Sequence, residues 1–314
     1  MLPDDLDSHS LRVVRAIADE GSITRAADAL GYSQPAISQH LRRLEARIGL
    51  PVVSRAGRGV RLTEAGRVLA RHALTVTTAL DAAAGELDDL RGLRTGRVRL
   101  AGFPSASSSI VPRLLSTMEA THPGVRITYL EAEPPEAVAA VRAQTADLAI
   151  TFSYPGDRVD PHRESARGLA VAPLWHDEML VALPAGHRLA ANDRVDLADL
   201  AAEAWIGGCP RCRGHLLELT AGRGYEPRIA YETDNFVAVL RMVAEGMGVA
   251  LLPGLAVGSA GVQPGVVLRA TGNRDHRTIN LVGAAGADVV PAIAATAEAI
   301  AGLAVEEWRL ASVG

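Results

Sequence analysis

Apolar positions in the first sixty residues recur at helical rather than strand spacing. Leu11, Val14 and Ile17, with Leu6 ahead of them, predict a first helix, with Ser8 as candidate N-cap and Gly21 as stop. A second short helix turns Ala26, Ala27 and Leu30 inward; Ser22 or Thr24 caps it and Gly31 ends it. Small side chains at 26 and 27 suit two helices that cross closely. A third helix opens on Ser33-Gln34-Pro35, buries Ile37, Leu41, Leu44 and Ile48, and stops at Gly49. Helix, short glycine turn and helix make a helix-turn-helix. Beyond it, two short apolar pieces between Val52 and Leu62 flank a Gly-rich basic tip and predict a β-hairpin wing.

Thr63 then starts a long helix running to about Arg91. Its apolar positions Leu69, Ala73, Val76, Leu80, Ala83, Leu87 and Leu90 alternate in steps of four and three, a heptad seam. Pairing with a second copy is the expected use of such a seam; a helix lying across the next domain is the alternative. From Val98 onward strands and helices alternate, which predicts α/β units with buried parallel strands. Strands are expected at 98–102, 125–130, 148–152, 169–174, 179–183, 228–231, 249–252, 266–268 and 278–282. Helices are expected after Ser109, at Pro134–Ala143, and near 215–221, 236–245 and 291–308.

Charge sharpens this picture. The net charge of −4 conceals an asymmetry: residues 1–72 hold 11 Arg against 8 acids, and the rest 21 Arg against 28 acids. Between Arg42 and Arg71, eight Arg face only Glu45 and Glu64. A basic segment on an acidic protein points to a polyanion at one end, with a solvated charged face as the plainer alternative. The exposed side of the third helix carries Gln34, Ser38, Gln39, Arg42 and Arg43, side chains that read base edges and phosphates in a major groove; a small helical domain that binds protein is the competing reading.

Composition removes several classes. Eleven aromatic residues in 314 argue against a base-stacking single-strand binder. No apolar run reaches the roughly 18 residues of a membrane span, and Asp4, Asp5 and Asp7 oppose a signal peptide. Two cysteines cannot form a disulfide scaffold, so a cytoplasmic location with no membrane partner is expected. No G-x-S-x-G, P-loop or metal spacing occurs, so no catalytic residue, metal or cofactor is assigned. Cys209-Pro210-Arg211-Cys212 is the unusual segment. It reads as a redox pair, as part of a metal site with His215, or as two thiols lining a loop, and Arg211 and Arg213 beside it as anion partners.

The stretch SITRAADALGYSQPAISQHLRRLEARIGLPVVSRAGRGVRLTEAG resembles the DNA-binding module of LysR-type transcriptional regulators. ADLAI, LWHDEMLVALPAGHRL and VAEGMGVALLP look like landmarks of that family's effector domain, which resembles type 2 periplasmic binding proteins. The resemblance implies an α+β chain: a winged helix-turn-helix over residues 1–63, a dimerising linker helix and hinge over 64–95, and a two-subdomain α/β effector domain over 96–314. Subdomain I is expected at about 96–160 and 275–314, subdomain II at about 165–270, with crossings near Ser153–Leu169 and Ala270–Arg277.

Further expectations follow from the resemblance. DNA contacts fall on Ser33, Gln34, Pro35, Ser38, Gln39, Arg42 and Arg43, with Arg55 and Arg58 on the wing. Many family members have Arg where this chain has Gln39, and Val53 replaces the usual wing Phe. Effector contacts fall on Pro104, Ser105, Ala106, Glu133, Phe152, Ser153, Gly208, Cys209 and Asp234. The serine cluster at 105–109, at a strand end and a helix start, suits an anionic effector, with N-capping as the plainer use. Partners are a double-stranded operator, a small-molecule effector, further copies of the chain as homodimer or homotetramer, and RNA polymerase. A solute-binding sensor whose N-terminal module only oligomerises is the alternative function.

Overall fold

The computed structural model describes residues 6–56, 59–90, 96–156, 168–261, 263–273 and 275–313; side chains at 55, 56, 59, 81, 82, 85, 86 and 88–90 lie outside the described set. The N-terminal unit is built from α1 (Ser8–Glu20), α2 (Ile23–Leu30), α3 (Gln34–Ile48), and the antiparallel hairpin β1 (Val53–Ala56) and β2 (Gly59–Leu62). Asp7, not Ser8, caps α1 by accepting from the Ser10 amide, and Ser22 and Ser33 cap α2 and α3. Gly21, Gly31 and Gly49 end the three helices at φ of 60°, 72° and 72°, a backbone that favours glycine. Val13, Val14, Ile17, Ala26, Ala27, Ile37, Leu41 and Leu44 form the core beneath them.

The long helix α4 (Glu64–Leu90) starts where Thr63 Oγ1 accepts from the Gly66 amide. Its seam divides. Leu69 and Ala73 are buried in the N-terminal core with Ala70, so they hold α4 to its own domain rather than to a second copy. From Val76 onward the seam is open: Val76, Leu80, Ala83 and Leu87 are exposed. Leu90 belongs to α4, but its side chain lies outside the described set. A heptad cannot reveal which of its layers faces the chain's own core, because both uses bury the same residue types.

The C-terminal unit contains β3 (Arg97–Gly102), α5 (Pro104–Ser107), α6 (Ile110–Thr121), β4 (Arg126–Glu131), α7 (Pro134–Arg142), β5 (Leu148–Ser153) and β6 (Leu169–Pro184). It continues with β7 (Arg194–Val195), β8 (Ala204–Gly207), α8 (Pro210–Ala221), β9 (Arg228–Glu232), α9 (Phe236–Ala244) and β10 (Ala250–Pro253). Last come α10 (Gly254–Ala260), β11 (Val266–Thr271), β12 (His276–Ala284), α11 (Pro291–Ala301) and β13 (Leu310–Ser312). The main sheet runs β4-β3-β5-β12-β6-β11-β7, with β10 and β13 also on β6; β8 and β9 pair separately. The sheet is mixed rather than all parallel: β3, β4 and β5 are parallel, and β12 is antiparallel to both β5 and β6.

β6 departs most from expectation. Two strands with a break after Leu174 are one strand of 16 residues. Its first half, to Glu178, pairs with β12 in subdomain I; its second half, from Met179, pairs with β10 and β11 in subdomain II. The first crossing therefore lies inside β6, near Glu178, and not at Ser153–Leu169. Residues 157–167 of that expected crossing, with Pro161, lie outside the described residues. The polar run His176-Asp177-Glu178 imitates a loop, but Asp177 is fully buried by a charge partner and the ladder continues through it. The expected helix at 291–308 also stops early. After α11, Trp308 sits in a short 3-10 turn and β13 pairs with Trp175–Asp177 of β6. Trp308 backs onto Gly258 of α10, where a Cβ would come within 3.2 Å of its Cα, and Arg113 of α6 stacks over its ring and pairs with Glu307. The C-terminal tail thus touches both subdomains.

Candidate functional site

The first site is the open face of α3. Burial of Ile37, Leu41 and Leu44 leaves Gln34, Pro35, Gln39, Arg42 and Arg43 exposed and Ser38 partly so. Gln34 Nε2 donates to Ser38 Oγ at 2.8 Å, and Arg42 Nε reaches the Ser38 carbonyl at 3.3 Å, so these polar groups are held on one face. Ser33 is also exposed, and its hydroxyl caps the helix. On the other side of α3, Arg47 bonds Asp7 and Ser10 at 3.0 Å, and Glu45 Oε1 accepts from the Val52 amide at 2.7 Å. These bonds fix the helix against α1 and the wing. Arg55 lies on β1 with its side chain outside the described set, and Arg58 lies outside the described residues.

The second site is a cleft where the two subdomains meet. Among its lining residues are Pro104, Ser105, Glu133, Phe152, Gly208, Cys209 and Asp234, all expected from the sequence. Ala106 and Ser153, also expected, are not in the lining. Ala106 lies on α5 with its side chain fully buried in the core, and Ser153 lies on β5 with its Oγ accepting from Asn280. The serine cluster is largely consumed internally: Ser107 bonds Tyr129, Ser108 bonds Ser259, and Ser109 donates to the Ser105 carbonyl. The cleft has a free volume of about 50 Å³. That is room for a few waters or one small molecule, at roughly 10–15 Å³ per water on this scale.

Arg277, which sequence reasoning did not select, organises the cleft. It is fully buried on β12. Its Nε donates to Asp177 Oδ2 at 2.8 Å and its Nη2 to Ser105 Oγ at 3.0 Å. The guanidinium lies 4.9 Å from the Phe103 ring centroid and 4.4 Å from that of Phe152. Asp177 Oδ1 accepts from the Leu255 amide at 2.9 Å. Burial pushes the Asp177 carboxyl up while Arg277 pulls it down. Nothing in the local sequence marks an Arg at the start of a strand as buried; its partner lies a hundred residues earlier in the chain.

Beside Arg277 stand Cys209 and Cys212, with Sγ–Sγ 2.9 Å. Cys209 caps α8, its Sγ accepting from the Cys212 amide, and it is buried; Cys212 is partly exposed. Tyr154 Oη donates to Cys212 Sγ at 3.6 Å, and the Tyr154 ring stacks on His215 at 3.8 Å. A Cβ at Gly208 would come within 3.3 Å of Cys212 Cβ, so the loop packs tightly on α8 here. Glu133, at the start of α7, has a buried Oε2 with no partner among the described residues. Burial, then the negative charge of Cys212, pushes its carboxyl from the ordinary 4.5 up to about 7. Between those values the folded chain keeps a proton that the unfolded chain has lost, so stability falls as pH rises from about 4.5 to 7. Glu133→Gln is expected to remove that slope and to raise stability at pH 8, by on the order of 1 kcal/mol after solvent screening. Thermal melts across pH check this; an unchanged slope refutes it.

A winged helix-turn-helix carried on a long helix, followed by two α/β lobes around a small cleft, defines a DNA-binding regulator with a ligand-binding half. Comparison with known proteins bears this out. The family model described as "Bacterial regulatory helix-turn-helix protein, lysR family" matches residues 8–67, and "LysR substrate binding domain" matches residues 91–304. The chain belongs to the LysR family of DNA-binding transcriptional regulators, and its residues 91–304 are the family's substrate-binding domain. It is 30% identical over 302 residues to the "Probable hydrogen peroxide-inducible genes activator" of Mycobacterium avium, covering 88% of this chain and 92% of that one. It is 29% identical to the regulator TtuA of Agrobacterium vitis, over 79% and 80% of the two chains. Among solved structures, a full-length OxyR variant from Pseudomonas aeruginosa has TM-score 0.62 at 22% identity, covering 96% of each chain. CbnR in complex with its target DNA has TM-score 0.52 at 23% identity, covering 94% of this chain and 98% of that one. No described helix is long and apolar enough to cross a membrane, and no described cluster of three His, Cys, Asp or Glu residues is placed to hold a metal.

Proposed function

We propose that α3 reads a specific operator through Gln34, Ser38 and Gln39, while Arg42, Arg43 and the wing residues Arg55 and Arg58 contact phosphates. The observation that supports this most directly is the division of α3 into a buried apolar face and an exposed Gln/Arg face. The exposed seam of α4 from Val76 through Leu87 supports pairing of two copies, and two such pairs form the homotetramer. The chain acts in the cytoplasm as a non-enzyme, with RNA polymerase as the partner that its bound state recruits or blocks. The ligand is a small anion that meets Arg277 and Ser105 at the cleft wall, with Glu133 protonated toward it. Seating that ligand shifts the balance between arrangements of the two subdomains and so the spacing of paired α3 helices.

The test is binding of the full chain to the duplex upstream of its own gene and to an unrelated duplex of equal length, followed by fluorescence anisotropy. We expect at least roughly a thousandfold preference for the former, with log affinity falling linearly in log salt. Equal affinity for both duplexes would refute specific regulation and leave only the electrostatic contribution.

A further inference from the structure

Two thiols in the cleft wall, Cys209 and Cys212, take no part in the anion contacts proposed above, and their geometry selects a ligand of its own. Their sulfurs are 2.9 Å apart, and both residues line the cleft. The start of α8 sets that separation: Cys209 is its N-cap, with Sγ accepting from the Cys212 amide at 3.4 Å, and Gly208 packs against Cys212. Two sulfurs held this way discriminate between soft centres by bond angle. Sulfur bonds such a centre at about 2.3 Å, so a two-coordinate ion with its sulfurs in line needs them about 4.6 Å apart. A pyramidal centre with bond angles of about 95° needs about 3.4 Å, only about 0.5 Å more than the separation of 2.9 Å found here.

Ligand number and charge act the same way. Zinc takes four ligands, and no third His, Cys, Asp or Glu among the described residues is placed to complete a metal site with the pair. The Arg277 and Arg211 guanidinium groups put positive charge beside Cys212, which opposes a dication more than a neutral molecule. Glu133 supplies a third polar position. It lines the same cleft, near enough to Cys212 for their charges to interact, and its Oε2 is buried with no partner among the described residues. The free volume of about 50 Å³ takes a molecule of about four heavy atoms, at roughly 10–15 Å³ per water.

We propose that Cys209 and Cys212 form a covalent capture site for a neutral, trivalent, pyramidal oxyacid of a thiophilic element, represented by arsenous acid, with Glu133 as hydrogen-bond partner of the hydroxyl that remains. Cys212 Sγ attacks first. It accepts from the Cys209 thiol and from the Tyr154 hydroxyl at 3.6 Å and has the two guanidinium groups nearby, so it holds negative charge more readily than Cys209. An S–As bond forms, an As–O bond breaks, and the departing hydroxide takes the proton of the Cys209 thiol. The Cys209 sulfur then forms the second S–As bond and displaces a second hydroxide, which recovers from solvent the proton that Cys212 gave up. Two thiols and one arsenous acid become one dithiolate adduct with a single hydroxyl and two waters. No electrons change hands, and arsenic stays trivalent.

Capture reaches across the boundary between the subdomains. Tyr154 follows β5 of subdomain I, whereas Cys212 lies on α8 of subdomain II. Arsenic bonded to Cys212 draws on the lone pairs that the Tyr154 hydroxyl meets, so the contact between the two subdomains changes when the site fills.

The test uses the full chain, reduced and held under nitrogen, mixed with excess sodium arsenite and then pulsed with a maleimide. The expected result is one arsenic per chain in the native mass spectrum, both cysteines protected from the maleimide, and release of both by a competing small dithiol. Zinc chloride at the same concentration should protect neither. Cys209→Ser and Cys212→Ser should each weaken arsenite binding at least about a hundredfold, since a single sulfur loses the gain of joining two on one chain. Glu133→Ala should speed release severalfold; an unchanged release rate would remove Glu133 from the site. Two alkylatable thiols in the arsenite-treated wild-type chain would overturn the proposal whatever the variants do. Equal protection by zinc would overturn the choice of a pyramidal oxyacid, and equal arsenite affinity in wild type and either cysteine variant would overturn capture by two sulfurs. None of these readouts involves operator or anion binding, so their failure is distinct from failure of the regulator reading.

Discussion

Replacing Arg277 with alanine is expected to cost about 3–5 kcal/mol of stability, because it leaves the fully buried Asp177 carboxylate without its cation. The Leu255 and Gly254 amides remain as donors, but neutral hydrogen bonds do not replace a charge partner at 2.8 Å. The guanidinium also packs against the touching rings of Phe103 and Phe152, so the alanine adds a cavity. Removing both charges is a different change. Asp177→Asn combined with Arg277→Met, which keeps most of the volume, should recover most of the loss, since desolvation of two ions offsets much of their attraction. Urea denaturation of the full chain measures both variants. A single-variant loss below about 1 kcal/mol would mean that water reaches Asp177 and that the pair does not hold the cleft together.

The second large effect concerns α3. Gln34→Ala and Gln39→Ala should each lower operator affinity by about 1–3 kcal/mol while leaving affinity for unrelated duplex nearly unchanged. Arg42→Ala and Arg43→Ala should instead weaken binding to every sequence and reduce the salt slope by about one each. Gln39→Arg is the sharpest variant. A glutamine suits the N6 and N7 edge of adenine, whereas an arginine suits the O6 and N7 edge of guanine, so preference at one base pair should move from A to G. Selection of binding sites from a random duplex pool reads this out. Identical selected sequences for wild type and Gln39→Arg would remove position 39 from base reading.

The N-terminal unit was legible because its information is local. Ser33, Gly21, Gly31 and Gly49 mark helix ends by capping and backbone geometry, and the period of Ile37, Leu41 and Leu44 marks the buried face. Even there, Asp7 took the cap from Ser8, since a carboxylate one residue earlier reaches the Ser10 amide at 2.6 Å. The C-terminal unit was legible as α/β but not in its joints. Arg277 and Asp177 are charged residues in strands, which composition assigns to surfaces; only their pairing across a hundred residues makes them interior. The serine cluster was legible only in part: Ser105 lines the cleft, but its neighbours Ser107, Ser108 and Ser109 do not. Its hydroxyls read as free donors, yet the short turn at 104–109 folds them onto one another and onto Tyr129 and Ser259. Cys209 and Cys212 were visible as a motif, but the Tyr154 hydroxyl that donates to Cys212 Sγ comes from 58 residues earlier, which no spacing announces.

The passage of β6 through both subdomains sets what kind of motion the effector half allows. Its partner β12 continues the ladder up to the boundary, and β13 covers its other edge there, so neither lobe can swing on a slack connector. Relative movement must take the form of torsion along a hydrogen-bonded axle, a few degrees of extra strand twist rather than a wide opening. Asp177 and Arg277 lie on that axle, where displacement is least and angular change is shared by everything attached. Any occupant of the cleft therefore signals through orientation more than through distance.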